Sequence, residues 1–366
     1  MKSILKSLKN SVLTILLVFT AILSSQHVFS GGSSSEGFNA GEMIMHHVVD
    51  AREIHFFTLG AGTENEKHIS IPLPQIIYTS DRGLEMFSSA QFHNAESKYD
   101  RYFLLHNHIY IADENGELSY DEAEAITNAS PLDLSITKTV FGIFLAIGLM
   151  FFIFMSIASA YKKRVGMAPK GLQSFVEPLI IFIRDEVAAP SIGHKYEKFM
   201  PFLLSVFFFI FISNLLGLIP FIGGFNITGN ISVTLVLATF TFIVTTINGN
   251  GNYWKHIFAT PGVPGWLLPL MIPIEIMGVF TKPVVLMLRL FANITAGHII
   301  ILSFMSLIFI FSDLYGAVAG FGVSLLSIAF SIFMNLLELL VAFLQAYVFT
   351  LLSALYFGAA VEEHHH

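Results

Sequence analysis

Five apolar runs dominate the chain, at residues 140–160, 199–222, 231–247, 284–311 and 322–357. Each is long enough to cross the roughly 30 Å hydrocarbon core of a bilayer. In that medium every backbone N–H and C=O needs a partner inside its own segment, so the runs must be helices. The predicted fold class is therefore an all-α polytopic membrane protein with about five transmembrane helices. Composition agrees, since 54% of the residues are hydrophobic and only 12% charged. The net charge of -7, with the few Lys and Arg set beside apolar runs, leaves no basic surface for nucleic acid. The absence of Cys excludes disulfides, zinc–thiolate sites and thiol catalysis.

Charge placement predicts the topology. Lys162, Lys163, Arg164 and Lys170 follow the first run, Lys195 and Lys198 precede the second, and Lys255 follows the third, which makes those loops cytoplasmic. The loops at 220–230 and 312–320 lack Lys and Arg and should face outward. An odd number of spans puts the tail, residues 362–366, in the cytoplasm. Residues 1–30 pair Lys2, Lys6 and Lys9 with a short apolar run and read as a signal peptide, so residues 31–130 should be exported to the periplasm.

Within that exported region, residues 42–57 show helical spacing and residues 101–120 alternate around Asp113-Glu114-Asn115-Gly116, a hairpin signal. A small α+β domain is expected. Between Lys170 and Val187, Leu172, Phe175, Val176, Leu179 and Ile183 oppose Gln173, Glu177 and Arg184, the pattern of an amphipathic interfacial helix. Residues 260–283 carry Pro261, Pro264, Pro269, Pro273 and Pro283, and should dip into the membrane rather than cross it, near the mouth of the next helix.

The last two runs carry the chemistry. A guanidinium is charged at any accessible pH, so Arg289 inside its run must face protein or water rather than lipid. The expectation is that the final two helices enclose it. His298 lies nine positions later, about 13 Å along a helix and half a turn round. Glu338 and Gln345, seven apart, share one face of the last helix. An antiparallel hairpin turning near Ala317, beside Asp313 and Gly316, brings Arg289 level with Gln345 and His298 level with Glu338. A buried cation strips protons from a nearby carboxylic acid, and a His–Glu pair can gain and lose a proton near neutral pH. Glu275 and Lys282 precede Arg289 by fourteen and seven positions, so continued helicity would put them on its face. Gly322 to Phe357 as one helix would measure roughly 54 Å, so the hairpin must be long and tilted. Asn293 and Asn214 suit interhelical hydrogen bonds. His68, His93, His106 and His108 in the exported region form no compact ligand motif, so no metal site is expected. No P-loop pattern is present, and no cofactor is implied.

These residues resemble a known family, the a subunit of F-type ATP synthases. The resemblance lies in Thr281-Lys282-Pro283, Leu288-Arg289-Leu290-Phe291-Ala292-Asn293, Ala296-Gly297, Asn214-Leu-Leu-Gly-Leu-Ile-Pro220 and Leu344-Gln345-Ala346-Tyr347-Val348-Phe349, and covers about residues 133–361. It implies the proton-translocating a subunit of the F0 sector in a bacterial inner membrane. Two half-channels would load and unload carboxylates on a rotating c-subunit ring. The b subunits of a peripheral stalk, and through them the F1 sector, would be partners, along with membrane lipid. Arg289 matches the arginine separating the half-channels, Gln345 the glutamine beside it, and His298 with Glu338 the relay of the outer half-channel, with acid and histidine exchanged relative to many bacterial members. Glu275, Lys282 and Asn293 match positions on the cytoplasmic side. Gly217 stands where many members carry an acid, and residues 59–128 look like an insertion. The family's a subunit has no catalytic site of its own. An alternative class is a stand-alone proton-coupled secondary transporter, although the internal repeat usual for such proteins is missing.

Overall fold

The computed structural model describes residues 41, 44, 49–59, 67–94, 97–105, 107–113, 115–120, 126–163, 167–219, 224–258 and 264–362. The expected signal peptide at 1–30 and His106 lie outside them. Seven helices build the membrane part: α1 (Lys138–Lys163), α2 (Leu172–Phe182), α3 (Tyr196–Leu218), α4 (Ile231–Ile247), α5 (Gly251–Phe258), α6 (Leu268–Tyr315) and α7 (Ala317–Val361). A π-helical stretch, Ile183–Ala188, and short helical turns join α2 to α3. Four segments are long and apolar enough to cross a membrane, namely α1, α2 through α3, α6 and α7. The pair α4–α5, bent by 103°, makes a fifth. The described residues thus hold four candidate spans, or five with the bent pair counted as one, against the five expected.

The core follows from side-chain bulk. Phe207, Leu203 and Ile210 of α3 are fully buried together with Leu286 and Leu290 of α6 and Phe349 and Phe357 of α7. Phe199 stacks on Phe357 with ring centroids 4.9 Å apart. α1 is attached along the stripe of Gly142, Ala146 and Ile157 and leaves its other faces open, as a lipid-facing helix can.

Two expectations for the membrane part fail. The proline-rich stretch is not separate from the helix that follows. From Leu268 it belongs to α6, a helix of 48 residues with Pro273 and Pro283 inside it. Each proline removes one N–H, but leaving the helix would strand several backbone groups in lipid, so the helix continues. In α2 the orientation differs from the expected one. Gln173, Val176, Ile183 and Val187 face the protein, while Leu172 and Phe175 are exposed. Apolar residues on both sides let either face turn inward, and Gln173 Nε2 is served by Glu177 Oε2 at 3.2 Å.

Ahead of α1, eight short strands form three antiparallel sheets: β1 (Glu53–Leu59) with β2 (Lys67–Pro72); β4 (Gly83–Ser88), β3 (Pro74–Thr79) and β8 (Leu132–Asp133); and β5 (Lys98–Tyr99), β6 (Tyr102–Leu105) and β7 (His108–Ile111). Ile77, Phe92, Tyr102 and Ile109 form its small core. The helix expected at 42–57 is replaced from Glu53 onward by β1, because a short apolar run fits either period. The hairpin turn of residues 101–120 sits at Asn107, at φ 65°, with Leu105 paired to His108. Asp113 to Gly116 forms a second turn beyond it, closed by a 3.0 Å hydrogen bond.

The strand region is fastened directly to α1. The Lys138 N–H donates to the Ala51 carbonyl at 2.7 Å, and Asp50 Oδ1 accepts from the Thr139 N–H at 2.9 Å, capping the helix. Arg52, nearly buried, donates to Gln75 Oε1 at 2.6 Å, to Asp133 Oδ2 at 2.5 Å and to the Asn107 carbonyl. Burial pushes the Asp133 carboxyl up, but hydrogen bonds from Arg52 and Ser135 outweigh it and hold the group below its ordinary value. A carboxyl depressed in the fold stabilises above its unfolded pKa of about 3.9 and stops doing so as pH falls through the folded value. Asp133→Ala should therefore cost about 2 kcal/mol by leaving Arg52 donors unpaired. Limited proteolysis should find the strand region of that variant labile at pH 7, and the parent region labile only below about pH 4.

Candidate functional site

The site lies along the hairpin of α6 and α7, joined at Gly316, whose φ of 83° suits a residue without a side chain. The turn falls where the sequence reading put it, beside Ala317, and the register follows. His298 Nδ1 and Glu338 Oε1 are 2.6 Å apart. Glu338 is only 5% exposed and His298 16%. Five residues before His298, Asn293 Nδ2 donates to Gln345 Oε1 at 2.8 Å, and Gln345 is 4% exposed.

Two expectations are corrected here. Arg289 is not enclosed by the hairpin. It is exposed on α6, and its guanidinium forms no hydrogen bond or ion pair among the described residues. Nor does Arg289 meet Gln345, whose oxygen belongs to Asn293 one turn away. Helical side chains slant toward the N-terminus of their helix, so the arginine leans toward the Leu268 end, within electrostatic range of the Tyr356 hydroxyl. Glu338 is bonded to His298 and not to Arg289.

Because α6 continues through Pro283, Glu275, Lys282 and Arg289 do share one helical face, with Glu275 half-buried and Lys282 exposed. The Lys282 ammonium lies 5.4 Å from the centre of the Tyr356 ring. A cavity of about 20 Å³ opens there, bounded by Lys282, Tyr356, Tyr253, Thr241 and Thr245. That is room for one water among polar partners.

Several contributors were not anticipated. Gly297 leaves room for the Glu338 carboxylate where it stands, because a Cβ there would sit 2.9 Å from Oε1 and 3.1 Å from Cδ. On the Gly316 side of the pair, Ser331 and Ser327 of α7 and Ser306 of α6 are buried. Ser327, Ser331 and Glu338 repeat at four and seven positions, a spacing that could have flagged a shared face. The loop of residues 224–230 folds in among the helices, with Phe225, Ile227 and Thr228 buried. Thr228 donates to Asn214 Oδ1 at 2.6 Å, and Asn214 Nδ2 to the Ala342 carbonyl at 3.3 Å. Among the described residues no cluster of metal-ligating side chains occurs.

Chemically, the pair can hold one proton in either of two ways, as imidazolium with carboxylate or as imidazole with carboxylic acid. A lone carboxylate at this burial would be driven to neutrality, and a partner that shares its proton removes the need. Glu338 Oε2 and His298 Nε2 are buried with no hydrogen-bond partner, so each end of the pair keeps one atom uncommitted to another side chain. Asn293 and Gln345 continue the polar line toward Arg289.

Residues 140–358 match the family model described as ATP synthase A chain, and residues 43–134 match a domain of unknown function. ATP synthase subunit a of Chloroherpeton thalassium is 45% identical over 240 residues, 64% of this chain and 69% of that protein. ATP synthase subunit a 2 of Chlorobaculum tepidum is 47% identical over 263 residues, 70% of this chain and 71% of the relative. ATP synthase subunit a of Chlorobium phaeobacteroides (strain DSM 266) is 40% identical over 321 residues, 85% of this chain and 90% of the relative.

Gly297→Ala should displace the Glu338 carboxylate and break its 2.6 Å bond to His298. Infrared difference spectra should show the carboxylic C=O band of Glu338, identified by its loss in Glu338→Gln, shifted in Gly297→Ala. Gly278→Ala, where a Cβ meets nothing within 4 Å, should leave the band in place.

Proposed function

The chain belongs to the ATP synthase A chain family, and from that premise we propose how its residues move protons as the a subunit of the F0 sector. The observation that carries the reading is the buried His298–Glu338 pair, held at 2.6 Å beside a helix face that exposes Arg289.

Protons arrive on the Gly316 side of the hairpin, through the region of Ser306, Ser327 and Ser331, and load the His298–Glu338 pair. Asn293 and Gln345 guide transfer from the pair to a carboxylate on a c-subunit ring that rides over the exposed face of α6. Arg289 meets each loaded carboxylic acid, lowers its pKa and drives the proton off. Its fixed charge also repels protons that would otherwise leak straight through. On the far side Glu275, Lys282 and the water-sized cavity beside Tyr356 collect the released proton. Exposure of Arg289 supports this division of labour, because an arginine that must meet a moving partner belongs on a face the chain itself leaves open.

The Gly316 turn then faces the periplasm and the end of α7 faces the cytoplasm, in a bacterial inner membrane, with residues 31–130 exported after a signal peptide. Peripheral-stalk b subunits hold the chain against the ring and connect it to the F1 sector. Each proton crossing 100 mV carries about 2.3 kcal/mol, and offsetting the two access routes turns that drop into rotation. Membership of the ATP synthase family sets aside the stand-alone transporter.

Arg289→Ala should bring proton-driven ATP synthesis in membrane vesicles to background. His298→Ala and Glu338→Ala should each lower it about a hundredfold or more, the range of positioned proton donors. Exchanging the two residues together should cost less than either single replacement. Normal synthesis in Arg289→Ala, or equal losses in the single and exchanged variants, would refute these roles.

A further inference from the structure

The sheet of β4, β3 and β8 is turned inside out. Tyr78 of β3 pairs with Leu84 of β4 and Leu132 of β8, and Ile76 pairs with Met86, while the Leu134 N–H donates to the Ile76 carbonyl at 2.9 Å. Paired residues share a face, so these six side chains form one apolar surface. Leu84, Met86, Leu132 and Leu134 are between 55% and 65% exposed on it. The polar residues of the same strands, Gln75, Thr79, Glu85 and Asp133, lie on the opposite, inner face, each held by Arg52, Arg101 or Tyr102. A slip of one residue would turn the apolar set inward, and these bonds lock the register against it. The sheet also leads straight to the membrane. Its pairing continues to Ile136, whose N–H donates to the Pro74 carbonyl at 3.1 Å, and α1 starts two residues later at Lys138. Exposed apolar side chains resume on α1 at Phe141, Phe144 and Leu145.

We propose that this sheet face is a lipid-binding surface, which lies flat on the phospholipid monolayer that α1 enters and sinks its side chains about 5–10 Å, to the boundary of headgroups and acyl chains. Proton transfer along α6 and α7 plays no part in it. A contiguous exposed apolar face marks an interaction site, and three observations favour lipid over a protein as its occupant. The first is the tether. Lys138 and Thr139 are bonded to Ala51 and Asp50, so the strand region is fixed to the end of a lipid-facing helix. Burial against the bilayer then costs no translational freedom, which a free partner would lose. The second is chemical. Among the six side chains the Tyr78 hydroxyl is the one hydrogen-bonding group, and Tyr78 is an interfacial residue type with an apolar body and a wet tip. The third is extent. An upright sheet would bring only Pro74 and Ile136 to the headgroups and leave Leu132 about 13 Å above them, whereas a flat one covers every row of the apolar face.

The chain has no cysteine, so single cysteines can be labelled in the assembled complex with the parent chain as background. Leu84→Cys, Met86→Cys and Leu132→Cys each take a fluorophore at an exposed position, where no core contact is lost. The complexes are reconstituted in vesicles of phosphatidylethanolamine and phosphatidylglycerol, with and without phospholipid that carries a nitroxide quencher near the top of its acyl chain. All three labels should lose at least about half their fluorescence to the quencher, because an interfacial face puts them at its depth. Phe144→Cys on α1 should be quenched as well, and Asn115→Cys, exposed on the turn after β7, should keep its signal. Unquenched labels at 84, 86 and 132 beside a quenched Phe144→Cys would overturn the proposal, whether those labels report water, a partner protein or a second copy. Quenching at Leu134→Cys alone would mean an upright sheet and would overturn it too.

Discussion

A carboxylate can stay between two apolar helices only if something beside it shares its proton, and the His298–Glu338 bond meets that condition. Much of the membrane part is arranged around it. Gly297 clears the space for the acid, the Gly316 turn sets the register that brings the two side chains level, and the buried loop closes the far edge of the ring. Two helices of 48 and 45 residues, far longer than a bilayer core demands, hold the pair in a seam where a single slipped turn would separate it by about 5 Å.

The hairpin was legible in the sequence because helical geometry is rigid. Polar residues nine and seven positions apart in two apolar runs fix a register as soon as the turn is placed, and His298 with Glu338 obeyed it. The same arithmetic misled for Arg289. Asn293, one turn further along α6, is the residue level with Gln345 and takes its oxygen, while the arginine side chain slants back the other way. Its burial was misjudged for a different reason. An intramembrane charge demands cover, but nothing in one chain says whether the cover is intramolecular.

Elsewhere the signals were weaker because the physics allows two answers. An uncharged loop satisfies charge-based topology whether it lies in water or folds down among helices, so the burial of Phe225 to Thr228 left no trace in the Lys and Arg count. Prolines predict a break in water, but lipid penalises stranded backbone groups more than it penalises a missing N–H, and α6 runs on. In the strand region, Phe56 and Phe57 fit a helical or an alternating pattern, and pairing with β2 decided between them.

The open position of Arg289 bears on the life of the molecule before it joins its partners. A guanidinium stranded against hydrocarbon costs several kcal/mol, so a solitary copy sits poorly in the bilayer until another surface covers the charge. The side chain proposed above to meet the ring would thus also penalise an uncovered copy.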